Sequence, residues 1–228
     1  MSNLISRREL LKRAGAVSAA AVVTSGSHQP VDSVLAAAAQ TAARPQPFEH
    51  LTAMESDVLE AIVARLIPSD ATGPGAKEAR AAQYIDRALG GALASSRSTY
   101  AAGLAAVDQI AHTSRGKAFK DLGPEEQDAI LTEVEAGTVP AFAGAAAFFA
   151  LVRAHAIQGT FCDPYYGGNA GFVGWDLIGY PGVRTVVTAD DQRLGAAVPA
   201  NHKSAYDYEM FTKATASVTP SRGMNHGE

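Results

Sequence analysis

Cysteine is nearly missing from this chain of 228 residues, which has one, and so is tryptophan, again one. A lone cysteine closes no disulfide within the chain. It also excludes Cys-x-x-Cys redox pairs, Cys-x-x-Cys-His haem attachment and multi-cysteine metal sites. His-Glu-x-x-His and the phosphate loop Gly-x-x-x-x-Gly-Lys-Ser/Thr are likewise lacking. Lys and Arg do not cluster beyond the first fifteen residues and the formal charge is −4, so the basic footprint of a nucleic-acid binder is missing. What remains is 47% hydrophobic and 18% charged, enough apolar material for one sizeable core.

The N-terminus is the first positive signal. Ser6-Arg7-Arg8-Glu9-Leu10-Leu11-Lys12 puts two arginines ahead of a mildly apolar run, Ala14 to Val23, too short to span a bilayer. This is the pattern of a twin-arginine export signal, with Arg7 and Arg8 as the pair and Ala36 to Ala39 supplying small residues for cleavage. The expected organisation is a signal over 1–39, a linker over 40–49, a helical domain over 50–215 and a loose tail over 216–228. Loss of the signal removes four basic and two acidic side chains and takes the charge from −4 to −6. Such export handles folded cargo, so the expected location is the periplasm and the first partner the twin-arginine translocase.

Five helices are predicted. Thr52-Ala53-Met54-Glu55 is a capping box, and Val58, Leu59, Ile62 and Val63 continue at helical spacing until Pro68. After the turn at Gly73-Pro74-Gly75 a second pattern carries Ala82, Ile85 and Leu89. A third runs from Arg97 to Ala111. A fourth starts at Gly123-Pro124, with Glu125 and Glu126 in its first turn, and ends at Gly137. The fifth, Pro140 to Gln158, is apolar nearly all round and belongs at the centre of a bundle. Val183 to Thr188 is a short β-branched run, and Thr188 to Asp191 is suited to cap a helical turn. Strand signals are thin throughout, so the fold class is all-α, one domain with a long irregular Gly/aromatic loop and an extended C-terminal arm.

That loop, Gly159 to Gly182, holds the cysteine, the tryptophan and three of the seven tyrosines. Its glycines do not fit Gly-x-Gly-x-x-Gly, and no strand precedes them, which argues against a nucleotide cradle. Cys162, just past the last turn of the fifth helix, is expected to be accessible; an inter-chain disulfide, an inert buried thiol and a redox role stay open. The rings of Phe161, Tyr165, Tyr166, Phe172, Trp175 and Tyr180 either cover the chain's own core or anchor a partner. His155 on the fifth helix reads as a packing histidine. A free-standing enzyme would need a non-local site, for instance around His155, His202 and Asp176. A third reading is a sugar-binding module using Trp175 and the tyrosines.

The segments Ile67 to Ala79, Tyr84-Ile85-Asp86, Tyr100 to Leu104 and, above all, FCDPYYGGNAGFVGWDLIGYPG (161–182) together resemble the gluconate 2-dehydrogenase subunit 3 family. The resemblance covers roughly Phe48 to Gly182. It implies the non-catalytic small subunit of an exported FAD-dependent sugar, sugar-acid or polyol dehydrogenase. In such complexes a larger subunit holds FAD, a multihaem cytochrome c subunit often accepts the electrons, and the small subunit escorts the flavoprotein through export. It implies no catalytic residue, bound cofactor or metal in this chain. Asp163, Tyr166, Gly167, Gly168, Asn169, Gly174, Trp175, Gly179, Tyr180, Pro181 and Gly182 match the family signature. Cys162, Asp163, Tyr165, Tyr166, Asn169, Trp175 and Tyr180 are accordingly expected at the partner interface, with Cys162 in a mixed disulfide with the large subunit.

Overall fold

The computed structural model describes residues 47–212. The expected export signal, with Arg7 and Arg8, and the tail over 216–228 lie outside them. Helices joined by turns make up the described residues, with no strand among them.

Helix α1, Ala53–Leu66, starts as its capping box dictates: Thr52 Oγ1 accepts from Glu55 N at 3.3 Å and Glu55 Oε2 accepts from Thr52 N at 2.7 Å. Burial raises the Glu55 pKa, but the Arg97 guanidinium and the Thr52 donors outweigh it, and the carboxyl sits below its ordinary value. Helix α2, Ala81–Leu89, and helix α3, Arg97–Arg115, bury Ile85 and Leu89, and Tyr100, Leu104 and Val107. Helix α4, Pro124–Ala136, has proline at its first position and Glu126 Oε2 accepting from Gly123 N, and ends at Gly137.

Helix α5 runs Ala145–Phe161 and packs against each of the four earlier helices. Phe148, Phe149, Val152 and Ala156 form its core contribution. Each large side chain so buried contributes roughly 1.5–3 kcal/mol. The position in the bundle is the expected one, but the boundaries are not. Gly144 adopts a left-handed conformation (φ 85°), so residues 140–144 turn rather than coil and the helix starts at Ala145. At the other end it continues past Gln158, because Thr160 is buried and closes a bond to Ala156 O, and Cys162 N bonds Gln158 O. Apolar nearly all round as expected, α5 is nonetheless not enclosed on every side: Arg153 pairs with Glu135 at 3.2 Å and Ile157 is half exposed.

The chain entering α1 is held by one carboxylate. Asp86, buried on α2, accepts from the backbone N–H groups of Glu49, His50 and Leu51 at 2.7–2.9 Å. Thr188 and Asp191 exchange the hydrogen bonds of a cap, yet only turns follow. The β-branched run 183–188 forms no strand. Two short helices end the described fold: α6, Val173–Leu177, inside the aromatic loop, and α7, Glu209–Thr212. No helix among the described residues is long and apolar enough to cross a membrane.

Candidate partner-facing site

The loop leaving α5 doubles back onto the helix end, and two glycines permit the approach. A Cβ at Gly168 would lie 2.0 Å from Gly159 O, and one at Gly174 would lie 1.8 Å from Thr160 O. Between them Asn169 is the organising residue. Fully buried and left-handed (φ 44°), it donates from Nδ2 to Cys162 O at 2.8 Å, accepts at Oδ1 from Gly174 N at 2.7 Å, and bonds Gly159 O through its own N–H. Asparagine tolerates this conformation better than other non-glycine residues.

Trp175 is 6% exposed, donates from Nε1 to Phe161 O at 3.0 Å and meets Tyr180 edge-on at 4.8 Å. Asn169 and Trp175, two of the residues expected at the partner interface, are thus buried in this chain, with their polar atoms used inside the loop. The exposed rings are Tyr165 (60%), Tyr166 (50%) and Tyr180 (40%).

Asp163 caps the turn Pro164–Tyr166 through Tyr165 N and also accepts from Ser204 Oγ at 2.6 Å and Ala205 N at 2.9 Å. These last two bonds bring in the C-terminal arm. Tyr206 stacks on Tyr165 with ring centroids 3.6 Å apart, and its Oη lies 2.9 Å from Tyr166 Oη. Sequence reasoning leaves Tyr206 without a role and misses Ser204, although Ser204-x-x-Asp207 is a readable capping box that closes in the structure.

Cys162 is half-buried rather than accessible. Its Sγ is 3.6 Å from Gly159 O, and burial, aided by Asp163 and opposed by the Gly168 amide, pushes the thiol up to about 11. It faces a cavity of about 620 Å³ whose walls include Tyr84, Ala88, Ile157, Phe161 and Tyr166. The thiol is a poor nucleophile in this setting.

Of the three groups of the non-local enzyme reading, the structure joins two: His202 Nε2 lies 2.7 Å from Asp176 Oδ1, and Phe172 stacks on the imidazole. His155 is elsewhere engaged, buried with Nδ1 3.0 Å from Tyr100 Oη, and burial lowers its pKa. Among the described residues no group of three or more His, Cys, Asp or Glu side chains is placed to hold a metal ion.

The described residues thus form a helical core presenting one Gly/aromatic loop, whose conformation is fixed from within and whose Tyr165, Tyr166 and Tyr180 are exposed. The model for gluconate 2-dehydrogenase subunit 3 matches residues 53–182, from the start of α1 to the end of the loop, and the chain belongs to that family. It is thereby a subunit of a gluconate 2-dehydrogenase-like complex, associated with a larger dehydrogenase subunit. Comparison with curated proteins and with solved structures gives no match.

Proposed function

We propose that this chain is the non-catalytic small subunit and twin-arginine export escort of an FAD-dependent sugar, sugar-acid or polyol dehydrogenase of the periplasm. The observation that carries the reading is the family match over 53–182, which includes the whole loop. The larger subunit holds the flavin and abstracts hydride; a multihaem cytochrome c subunit passes the electrons on. This chain contributes its loop, with Tyr165, Tyr166 and Tyr180 as exposed rings that lose water on binding. Cys162, reached through the apolar cavity, forms a mixed disulfide with a cysteine of the larger subunit, the two thiols giving up two protons and two electrons to a thiol–disulfide oxidant of the periplasm.

Deleting the chain while keeping the flavoprotein gene tests the escort role: dehydrogenase activity is expected to vanish from the periplasm and inactive flavoprotein to remain in the cytoplasm. Undiminished periplasmic activity refutes it. Replacing Arg7 and Arg8 by lysine is expected to give the same export defect with both proteins still made. Non-reducing electrophoresis of the complex decides the disulfide, since two separate bands under oxidising conditions exclude it.

A further inference from the structure

Beyond its own internal hydrogen bonds, such as those of Tyr208 Oη and Asn201 Nδ2 to Val183 O, the C-terminal arm is tied to the family loop. Asp163 takes Ser204 Oγ and Ala205 N, Tyr165 takes the face of Tyr206, Tyr166 Oη meets Tyr206 Oη, and Asp176 takes His202. The four loop residues lie inside the matched segment 53–182 and their four arm partners lie beyond it. The arm adds nothing to the hydrophobic core, which ends at Ala156. Among the described residues after Gly182, Ser204 alone is buried, while Val186, Val187, Leu194, Met210 and Phe211 stand exposed. Lifting the arm therefore leaves the hydrophobic core intact and breaks part-buried and exposed hydrogen bonds and two ring stacks, Tyr165 on Tyr206 and Phe172 on His202, all of a kind that another polypeptide can supply.

We propose that the arm, residues 183–208, is a displaceable strap that occupies the tyrosine face of the loop until the larger subunit takes its place. The strap also specifies the occupant: a segment of that subunit offering an aromatic ring to Tyr165, with a hydroxyl and a backbone N–H for the Asp163 carboxylate. This rests on the reading that the loop faces the larger subunit. A strap closed about nine-tenths of the time lowers the apparent affinity about tenfold.

The test is amide hydrogen exchange on the full chain, alone and in complex with the larger subunit. The N–H groups of Ala205 and Tyr206, bonded to Asp163 and to Ser204 Oγ, are expected to lose protection on binding, while residues 163–166 gain it. Added protection over 204–206 in the complex overturns the strap, because the arm then stays in place. In parallel, the double variant Ser204→Ala, Tyr206→Ala is expected to bind about tenfold tighter. Val187→Ser, an exposed arm position, is expected to bind unchanged; weaker binding by either variant means the arm itself contacts the partner and overturns the proposal. Unaltered helical circular dichroism of both variants reports that the core is folded. Failure of all forms, wild type included, to bind overturns instead the assignment of the larger subunit as the partner of this loop.

Discussion

Replacing Asn169 by alanine removes the residue on which the loop turns. Two of its side-chain bonds are short, to Cys162 O at 2.8 Å and from Gly174 N at 2.7 Å, and the Gly174 amide is buried. A buried group left without its partner costs about 1–3 kcal/mol. The Gly174 N–H bears that cost in full, and the half-buried Cys162 carbonyl bears part of it. Alanine in the left-handed region adds about 1 kcal/mol over asparagine. Together these amount to about 3–5 kcal/mol, or roughly 6–20 °C in Tm if the chain unfolds in one step. The core cluster stops at Ala156 and leaves the loop out, so the loop is expected to loosen first. Trp175, the single tryptophan, reports this: its fluorescence should change at lower temperature than the helical circular dichroism. Asn169→Gly, which tolerates φ 44° but makes neither bond, should recover only the backbone part, about 1 kcal/mol. An Asn169→Ala protein within about 0.5 kcal/mol of wild type, with coincident transitions, refutes the assignment of Asn169 as the loop's organiser.

Three further outcomes are expected. Gly103→Ala places a Cβ 2.2 Å from the Phe148 ring, so despite the better helix propensity it should destabilise the α3–α5 contact by about 1–2 kcal/mol in denaturant titration; a more stable variant contradicts the packing. His155 has a pKa held below the ordinary value by burial, so the unfolded chain binds more protons as pH falls through about 6.5. Its contribution is whole above that pH and falls below it by at most about 1.4 kcal/mol per pH unit; stability curves of wild type and His155→Gln at pH 7.5 and 5 should converge on acidification, and parallel curves refute this. With its thiol raised to about 11, Cys162 in the free chain should alkylate roughly a hundredfold more slowly at neutral pH than an unfolded thiol, a difference that denaturant abolishes.

Where the determinants lie within a turn or two of chain, the residues announce the structure. Thr52 with Glu55, Pro124 after Gly123, and Gly137 set helix ends because a cap needs only neighbours three or four residues away. The stripes Val58 to Val63 and Tyr100 to Val107 are buried as their spacing requires. The start of α5 escaped because Phe142 and Ala145 continue an apolar pattern across Gly144, and pattern carries no backbone sign.

Sequence by itself thus determined the helical class, most helix ends and the family signature, since periodicity, capping and motif are all written in neighbouring residues. Only the tertiary structure decided which way the loop faces. Asn169 and Trp175 turn inward, Cys162 sinks half-way, and the tyrosines stay out, because the helix end at Gly159 to Phe161 supplies carbonyls for the first two. The grip of Asp163 on Ser204 spans 41 residues and that of Asp176 on His202 spans 26. Contacts at such separations depend on where the chain has been carried in three dimensions, and no local pattern encodes that path.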